Sequence, residues 1–234
     1  MKSTNLIISS FALAMLCAGM TASASVVAMD YIGPEGNNSG GVYTYPYNFT
    51  LNSSPGTYQL MCDDFTHMIN PGDSWNATAL NASSLDSSNV LGLEFPSAGV
   101  TGYLEACYLF VEEVSAFNAS NSDPEGLYNW ATWDLLTGSD VSAAHLSPAD
   151  EIQVQSYLSA AEAAGSSLTP SQFANVDIYT PLDMSSGGPQ EFFGYGTGTP
   201  APEPSTLALL GIGAVGLLAR RTAARGTAGS SAHT

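Results

Sequence analysis

Cysteine residues are the part of this sequence with the clearest capacity for covalent chemistry. The chain has three of them, but Cys17 lies in an N-terminal apolar run that is predicted to be removed, so Cys62 and Cys107 remain. In an oxidising compartment an even pair of cysteines most simply forms a disulfide, which would stabilise the fold by roughly 3–4 kcal/mol. Because Cys62 is predicted on a strand and Cys107 on a helix, the sequence leaves a disulfide and two separate thiols both open.

Two pairs of adjacent carboxylates are candidates for acid–base catalysis. Asp63-Asp64 and Glu112-Glu113 could serve a glycosidase only if two carboxylates faced one cleft about 5–10 Å apart. Neighbouring residues on a strand point to opposite faces, so these pairs are interpreted as solvated acidic groups. The sequence therefore predicts no catalytic residues and a protein that is not an enzyme.

Metal ions and sugars are the other ligands to consider. The three histidines lack the spacing of zinc ligands, and the EF-hand loop pattern does not occur. No metal site and no cofactor are therefore predicted, beyond weak Ca²⁺ binding by surface carboxylates. Three tryptophans could stack on sugar rings, although burial in the core is their default position: Trp75, Trp130 and Trp133.

Positive charge is confined to the two ends of the chain. Apart from Lys2, every Lys and Arg follows position 219, whereas residues 25–199 carry all of the 21 acidic residues except Glu203. Such a body repels nucleic acid and anionic lipid, and it attracts divalent cations or cationic partners. Nucleic acid is therefore excluded as a partner.

The N-terminus has the pattern of a secretory signal peptide. Lys2 precedes an apolar run over residues 6–20, and Ala22 and Ala24 form an A-x-A cleavage site. The pattern predicts export of the protein and removal of residues 1–24 by signal peptidase.

The C-terminus has three consecutive parts. A short polar motif is followed by an apolar segment over residues 207–219. The segment would be about 20 Å long as a helix, which is short for a bilayer core of about 30 Å. Basic residues then hold the C-terminus on the cytoplasmic side. The motif and the basic stop consist of Pro202, Glu203, Pro204, Ser205 and Thr206, and of Arg220, Arg221 and Arg225.

This order of motif, apolar helix and basic stop resembles the PEP-CTERM sorting signal of exopolysaccharide-producing Gram-negative bacteria. The resemblance covers residues 200–225, and the polar tail over 226–234 departs from it, since such signals usually end soon after the basic residues. It implies recognition by an exosortase, a membrane-embedded cysteine transpeptidase, with processing near Glu203.

Between the two signals, residues 25–199 are long enough for a single secreted domain with its own core. Five strands are predicted, of which the first has alternating apolar residues and is an edge strand because of Pro46: 42–51, 58–62, 74–80, 176–180 and 191–195. Helical spacing and capping residues predict three helices: 103–117, 123–138 and 147–165. This order predicts an α+β fold, an antiparallel sheet or barrel-like domain with an inserted three-helix segment.

Two segments of this body carry a second resemblance. Residues 61–65 and 126–133 resemble a common group of PEP-CTERM proteins and, more distantly, the thioester domains of Gram-positive surface adhesins. In those domains a Cys is cross-linked to a Gln on a helix, forming an electrophile that captures host nucleophiles. Cys62 stands at the position of the Cys, whereas Asn129, one methylene shorter, stands at that of the Gln. The resemblance implies a covalent adhesin or the same scaffold without covalent chemistry.

These features together predict an exported, exosortase-processed protein of the cell surface or extracellular matrix. Its C-terminal helix would anchor it in the inner membrane before processing. A structural or binding role is expected, with exopolysaccharide or cell-envelope glycans as partners. The alternatives are a covalent adhesin that uses Cys62 and, less favoured, a polysaccharide-active enzyme.

Overall fold

A computed structural model of the chain describes residues 24–36, 38–119 and 122–196. The predicted signal peptide up to residue 23 and the predicted C-terminal apolar helix lie outside these ranges. None of the described helices has the length and apolar character needed to cross a membrane.

The described chain forms an antiparallel barrel and a small hairpin. Its strands are β1 (Ser25–Pro34), β2 (Asn38–Ser39), β3 (Val42–Tyr43), β4 (Tyr47–Leu51), β5 (Tyr58–Cys62), β6 (Ser74–Asn81), β7 (Val176–Pro181) and β8 (Phe192–Tyr195). Six of them close in the order β1-β4-β5-β8-β7-β6, and β2 pairs only with β3. The predicted antiparallel, barrel-like sheet is confirmed.

Strand β1 was not predicted from the sequence. Buried Val27, Met29 and Tyr31 alternate with more exposed residues along it, which is the pattern of a strand with one face in a core. Because β1 pairs with both β4 and β6, it closes the barrel.

The predicted edge strand over residues 42–51 is two separate strands. β3 ends at Tyr43 and β4 begins at Tyr47, so Pro46 lies between them and removes no hydrogen bond from the barrel. β4 pairs with β1 on one side and with β5 on the other. The prediction of an edge strand was wrong because it placed Pro46 inside the ladder.

Three helices connect β6 to β7, as predicted. They are α1 (Gly99–Asn118), α2 (Ser122–Thr137) and α3 (Pro148–Gly165). The hydroxyl of Ser147 accepts a hydrogen bond from the backbone N–H of Asp150 at 3.3 Å, which is the cap that the sequence indicated for α3. Both α2 and α3 contact α1.

Adjacent residues of the barrel strands pack into two different apolar clusters. On β5, Leu60 and Cys62 belong to a first cluster that contains the inward-facing residues of β1 and β4, whereas Met61 belongs to a second cluster that contains much of α1. Phe192 and Phe193 of β8 divide between the clusters in the same way. Side chains of the two clusters therefore project from opposite faces of these strands.

Candidate functional site

A cavity of about 390 Å³ lies between the barrel, the β2–β3 hairpin and the loop that follows β5. Tyr31, Tyr47 and Trp133 are buried in its lining, whereas Tyr43 is 51% exposed and Met68 is 79% exposed. The cavity therefore has an aromatic interior and an open rim. Its aromatic and polar lining residues are Tyr31, Tyr43, Tyr47, Phe65 and Trp133, with Asp64 and Gln190.

The β2–β3 hairpin forms one wall of this cavity. Its turn contains Gly40 and Gly41 at φ +62° and +89°, a region of backbone conformation that favours glycine. A Cβ on Gly40 would lie 2.9 Å from the Trp130 ring, so glycine also allows the hairpin to approach α2. The hairpin thereby places Val42 and Tyr43 at the cavity.

The loop that follows β5 forms another wall of the cavity, and the Asp64 side chain holds this loop in place. Its Oδ1 accepts hydrogen bonds from the backbone N–H of Thr66 at 2.7 Å and from the Thr66 hydroxyl at 2.6 Å, and its Oδ2 lies 2.5 Å from His67 Nδ1. The side-chain amide of Gln190 donates to the carbonyl of Asp64 at 2.8 Å and also to that of His67. This wall is therefore fixed by internal hydrogen bonds before any ligand binds.

Asp64, His67 and Glu94 also form a group of metal-ligand type, with ligand atoms within 4.8 Å of one another. The 2.5 Å between Asp64 Oδ2 and His67 Nδ1 is within hydrogen-bonding distance and is shorter than about 2.7–2.9 Å, the usual length of a charge-assisted N–H···O bond. Two ligands of one tetrahedral zinc ion would lie about 3.3 Å apart. A hydrogen bond rather than a metal ion accounts for this pair.

A second group of this type is purely acidic. Asp134, Asp140 and Glu151 gather around the hydroxyl of Ser142, which lies 2.7 Å from Asp134 Oδ2 and 3.0 Å from Asp140 Oδ1. Carboxylate oxygens are ligands that Ca²⁺ prefers. Of the two groups, this one suits the weak calcium binding expected from the sequence.

Asp63 and Glu191 form a buried pair of carboxyl groups next to Asp64. Both are fully buried, and the charge of Glu191 acts on Asp63. Glu191 also accepts hydrogen bonds from the Tyr103 hydroxyl at 2.7 Å and from the backbone N–H of Glu94 at 3.1 Å. Burial, followed by the charge of Glu191, raises the pKa of Asp63 well above its usual range, which favours the protonated form of Asp63.

The interpretation of the adjacent carboxylates as solvated groups was wrong for three of the four. Asp63, Asp64 and Glu113 are fully buried. The backbone N–H of Asp63 donates to the carbonyl of Glu191 at 3.3 Å, which continues the pairing of β5 with β8 and encloses the side chain. Neither Asp63 nor Glu191 lines the 390 Å³ cavity, so the pair supports the fold and does not face a substrate there.

The disulfide considered between Cys62 and Cys107 is not formed in the structure, where both thiols are free and buried. Cys62 packs in the first apolar cluster, whereas Cys107 of α1 packs in the second. On β5 the side chains that face the first cluster alternate with those that face α1, and Cys62 is one of the former. The Cys62 thiol donates to the carbonyl of Asp64 at 3.1 Å. Burial raises the pKa of this thiol well above its usual range, which removes the thiolate needed for nucleophilic attack.

Asn129 lies beside the backbone of Cys62. Its amide N–H donates to the backbone carbonyl of Cys62 at 2.6 Å, and its Oδ1 accepts from the backbone N–H of Tyr45 at 3.1 Å. The amide therefore bonds to the backbone of Cys62 and joins α2 to two other segments.

Both cysteines of the body are expected to be free thiols in the exported protein. Alkylating reagent without reductant should modify neither thiol in the native protein, because both are fully buried, and should modify both after denaturation. Intact mass is the measurement: a disulfide would lower it by two hydrogens and a thioester by one ammonia. Either loss would contradict the free-thiol structure.

The other predicted site residues fall at or beyond the limits of the described chain. Ala24 is exposed and directly precedes β1, so a cut after it would release the domain with β1 intact. Ala22, the sorting motif over residues 202–206 and the basic stop at residues 220, 221 and 225 lie outside the described residues.

The tryptophans considered for sugar stacking have different positions. Trp133 lines the 390 Å³ cavity, Trp75 lines a second cavity, and fully buried Trp130 packs against Phe65 and His145. The cavity itself was not predicted. Its clearest signal in the sequence was the pair Tyr43 and Tyr47, which both line it, whereas Tyr45 between them packs in the second cluster.

Comparison with known protein families gives one match. Residues 200–221 match the PEP-CTERM protein-sorting motif, which confirms the resemblance inferred for the C-terminus. The match covers the polar motif, the apolar segment and the first two arginines. No curated protein and no solved structure matches the chain.

Proposed function

We propose, from the premise that this chain is an exported protein with a PEP-CTERM motif for exosortase, that it is a polysaccharide-binding protein of the cell surface or extracellular matrix. Signal peptidase removes residues 1–24, and exosortase acts near Glu203 after the C-terminal segment has anchored the chain in the inner membrane. The mature domain then associates with exopolysaccharide or cell-envelope glycans through non-covalent contacts and without catalysis.

The aromatic cavity is the observation that carries the binding role. Ligand sites in proteins are concave, largely apolar and supplied with a few placed polar groups. The cavity has this character, since buried Tyr31, Tyr47 and Trp133 lie in the same lining as Gln190. Its volume of about 390 Å³ is within the usual range of about 300–1,000 Å³ for such sites.

The contacts of Cys62 favour this non-covalent role over that of a covalent adhesin. A thioester requires the side-chain carbonyl of the helix residue at the sulfur, whereas the Asn129 amide bonds to the backbone of Cys62 and of Tyr45. The enclosed Asp63–Glu191 pair likewise lies away from the cavity lining, which favours a binding role over a glycosidase.

A glycan array with the exported protein tests the proposal. The protein is expected to bind a subset of polysaccharides and to co-fractionate with the extracellular polysaccharide of the cells that produce it. Parallel arrays with and without millimolar Ca²⁺ measure whether the Asp134–Asp140–Glu151 group contributes. Failure to bind any glycan, together with absence from the polysaccharide fraction, would contradict the proposed function.

A further inference from the structure

We infer that the 390 Å³ cavity and a smaller neighbour are two subsites of one groove, and that the groove binds an uncharged polysaccharide chain. This inference rests on the proposed function and specifies its ligand.

The two cavities share part of their lining. The smaller one has a volume of about 210 Å³, and Met68 and Ile69 line it as well as the larger cavity. The Met68–Ile69 segment therefore lies between them. Each cavity also has a tryptophan in its lining, Trp133 in the larger and Trp75 in the smaller. A ligand with repeating units can place one unit in each cavity and cross the segment between them.

The side chains in both cavities match the chemistry of sugar rings. The apolar faces of a pyranose pack against aromatic rings, and its hydroxyl groups need hydrogen-bonding partners. In the larger cavity exposed Tyr43 offers a hydroxyl group, and Gln190, whose Nε2 already donates to two backbone carbonyls, offers its Oε1. The smaller cavity combines Trp75 with Ser74 and Asp73. Both polar and apolar requirements of a sugar are thus met in each cavity.

Charge selects among polysaccharides. The described residues contain no Lys or Arg, so no permanent cation is present to pair with a uronate or a sulfate. Asp64 and Asp73 line the larger and the smaller cavity, and the chain has a formal net charge of −17. An anionic chain would be repelled on approach and unpaired when bound. An uncharged chain incurs neither cost.

The experiment measures how tightly the exported protein binds uncharged oligosaccharides. The series runs from the monosaccharide to the hexasaccharide of the uncharged glycan that binds best on the array, and oligouronates of the same lengths are measured for comparison. Affinity for the uncharged series should increase with length until both subsites are filled and then level off. The oligouronates should bind at least tenfold more weakly. Equal affinity for both series would overturn the inference.

Substitutions of residues at the cavity rim test whether the oligosaccharide binds in the groove. Tyr43→Ala and Met68→Ala remove exposed side chains and should weaken binding of the long oligosaccharide about three- to tenfold, the range expected for one aromatic or thioether contact. Leu91→Ala is the matched control, because Leu91 is 70% exposed and lines neither cavity. Melting curves verify that all three variants fold.

The outcomes separate this inference from the proposed function. If uncharged oligosaccharides bind and the rim variants bind like Leu91→Ala, the groove is wrong while the polysaccharide-binding function stands. If no glycan of any charge binds, both are wrong. Met68→Lys gives an independent test: it should gain affinity for oligouronates over Leu91→Lys, and equal behaviour of the two variants would overturn the placement of the groove.

Discussion

Replacement of Asn129 by alanine is expected to destabilise the fold by about 4 kcal/mol. The buried Asn129 side chain satisfies the backbone carbonyl of Cys62 and the backbone N–H of Tyr45. Alanine leaves both groups buried without these partners, and each unsatisfied group costs about 1–3 kcal/mol. For a domain of this size, that loss lowers the melting temperature by roughly 10 °C.

Thermal melts of the exported protein measure this effect, with Asn118→Ala as the control. Asn118 is exposed at the end of α1, so its replacement should change stability by less than about 0.5 kcal/mol. An Asn129→Ala variant that melts within a degree of the wild type would show that the amide does not connect α2 to β5 and to the segment before β4.

The melting temperature is expected to be higher at about pH 5 than at about pH 8. Burial is the leading cause that raises the pKa of six carboxyl groups in the folded protein. Between its unfolded and its folded pKa, each such group binds more protons in the folded state, so stability increases as the pH falls through that interval. The six groups are Asp63, Glu94, Glu105, Asp134, Asp177 and Glu191.

The size of this effect depends on how far each pKa is raised. One pKa unit in one group is equivalent to about 1.4 kcal/mol, or roughly 2–4 °C of melting temperature for a domain of this size. Asp86 and Asp183 act in the opposite direction, because hydrogen bonds to Ser88 and to Ser185 lower their pKa values. Both are exposed, so their effect is smaller.

Asp63→Asn is the variant that tests the contribution of the buried Asp63–Glu191 pair. Asparagine has about the same size as aspartate but does not titrate, so the difference in melting temperature between the two pH values should shrink. Asp86→Asn, the exposed control, should leave the difference unchanged or increase it slightly. A wild-type melting temperature that falls steadily from pH 8 to pH 5 would mean that the buried carboxyl groups are ionised in the folded protein.

Local patterns in the sequence predicted the elements that depend on local interactions. The cap at Ser147 identified the start of α3, and short strand-like segments identified β5 and β6. The order of motif, apolar segment and basic stop identified the sorting signal, because those parts act as one contiguous peptide. Each of these features can be read within about 25 residues of chain.

Features that depend on distant segments were missed or misinterpreted. The burial of Asp63 follows from the pairing of β5 with β8, two strands separated by the three helices. The separation of Cys62 from Cys107 depends on which face of β5 turns towards α1. The cavity draws on Tyr43 of the hairpin, Trp133 of α2 and Gln190 before β8, and no local pattern brings these residues together.

Mass mapping of the termini of the protein recovered from the surface of the bacterium that produces it tests the central claim most directly. A protein exported and processed by exosortase should begin near Ser25 and end near Glu203, and peptides from the apolar segment over residues 207–219 should be missing. Cell-associated precursor from the same culture serves as the control, since it should still contain those peptides. Recovery of Arg220 in the mature surface protein would contradict exosortase processing and indicate a permanent C-terminal anchor.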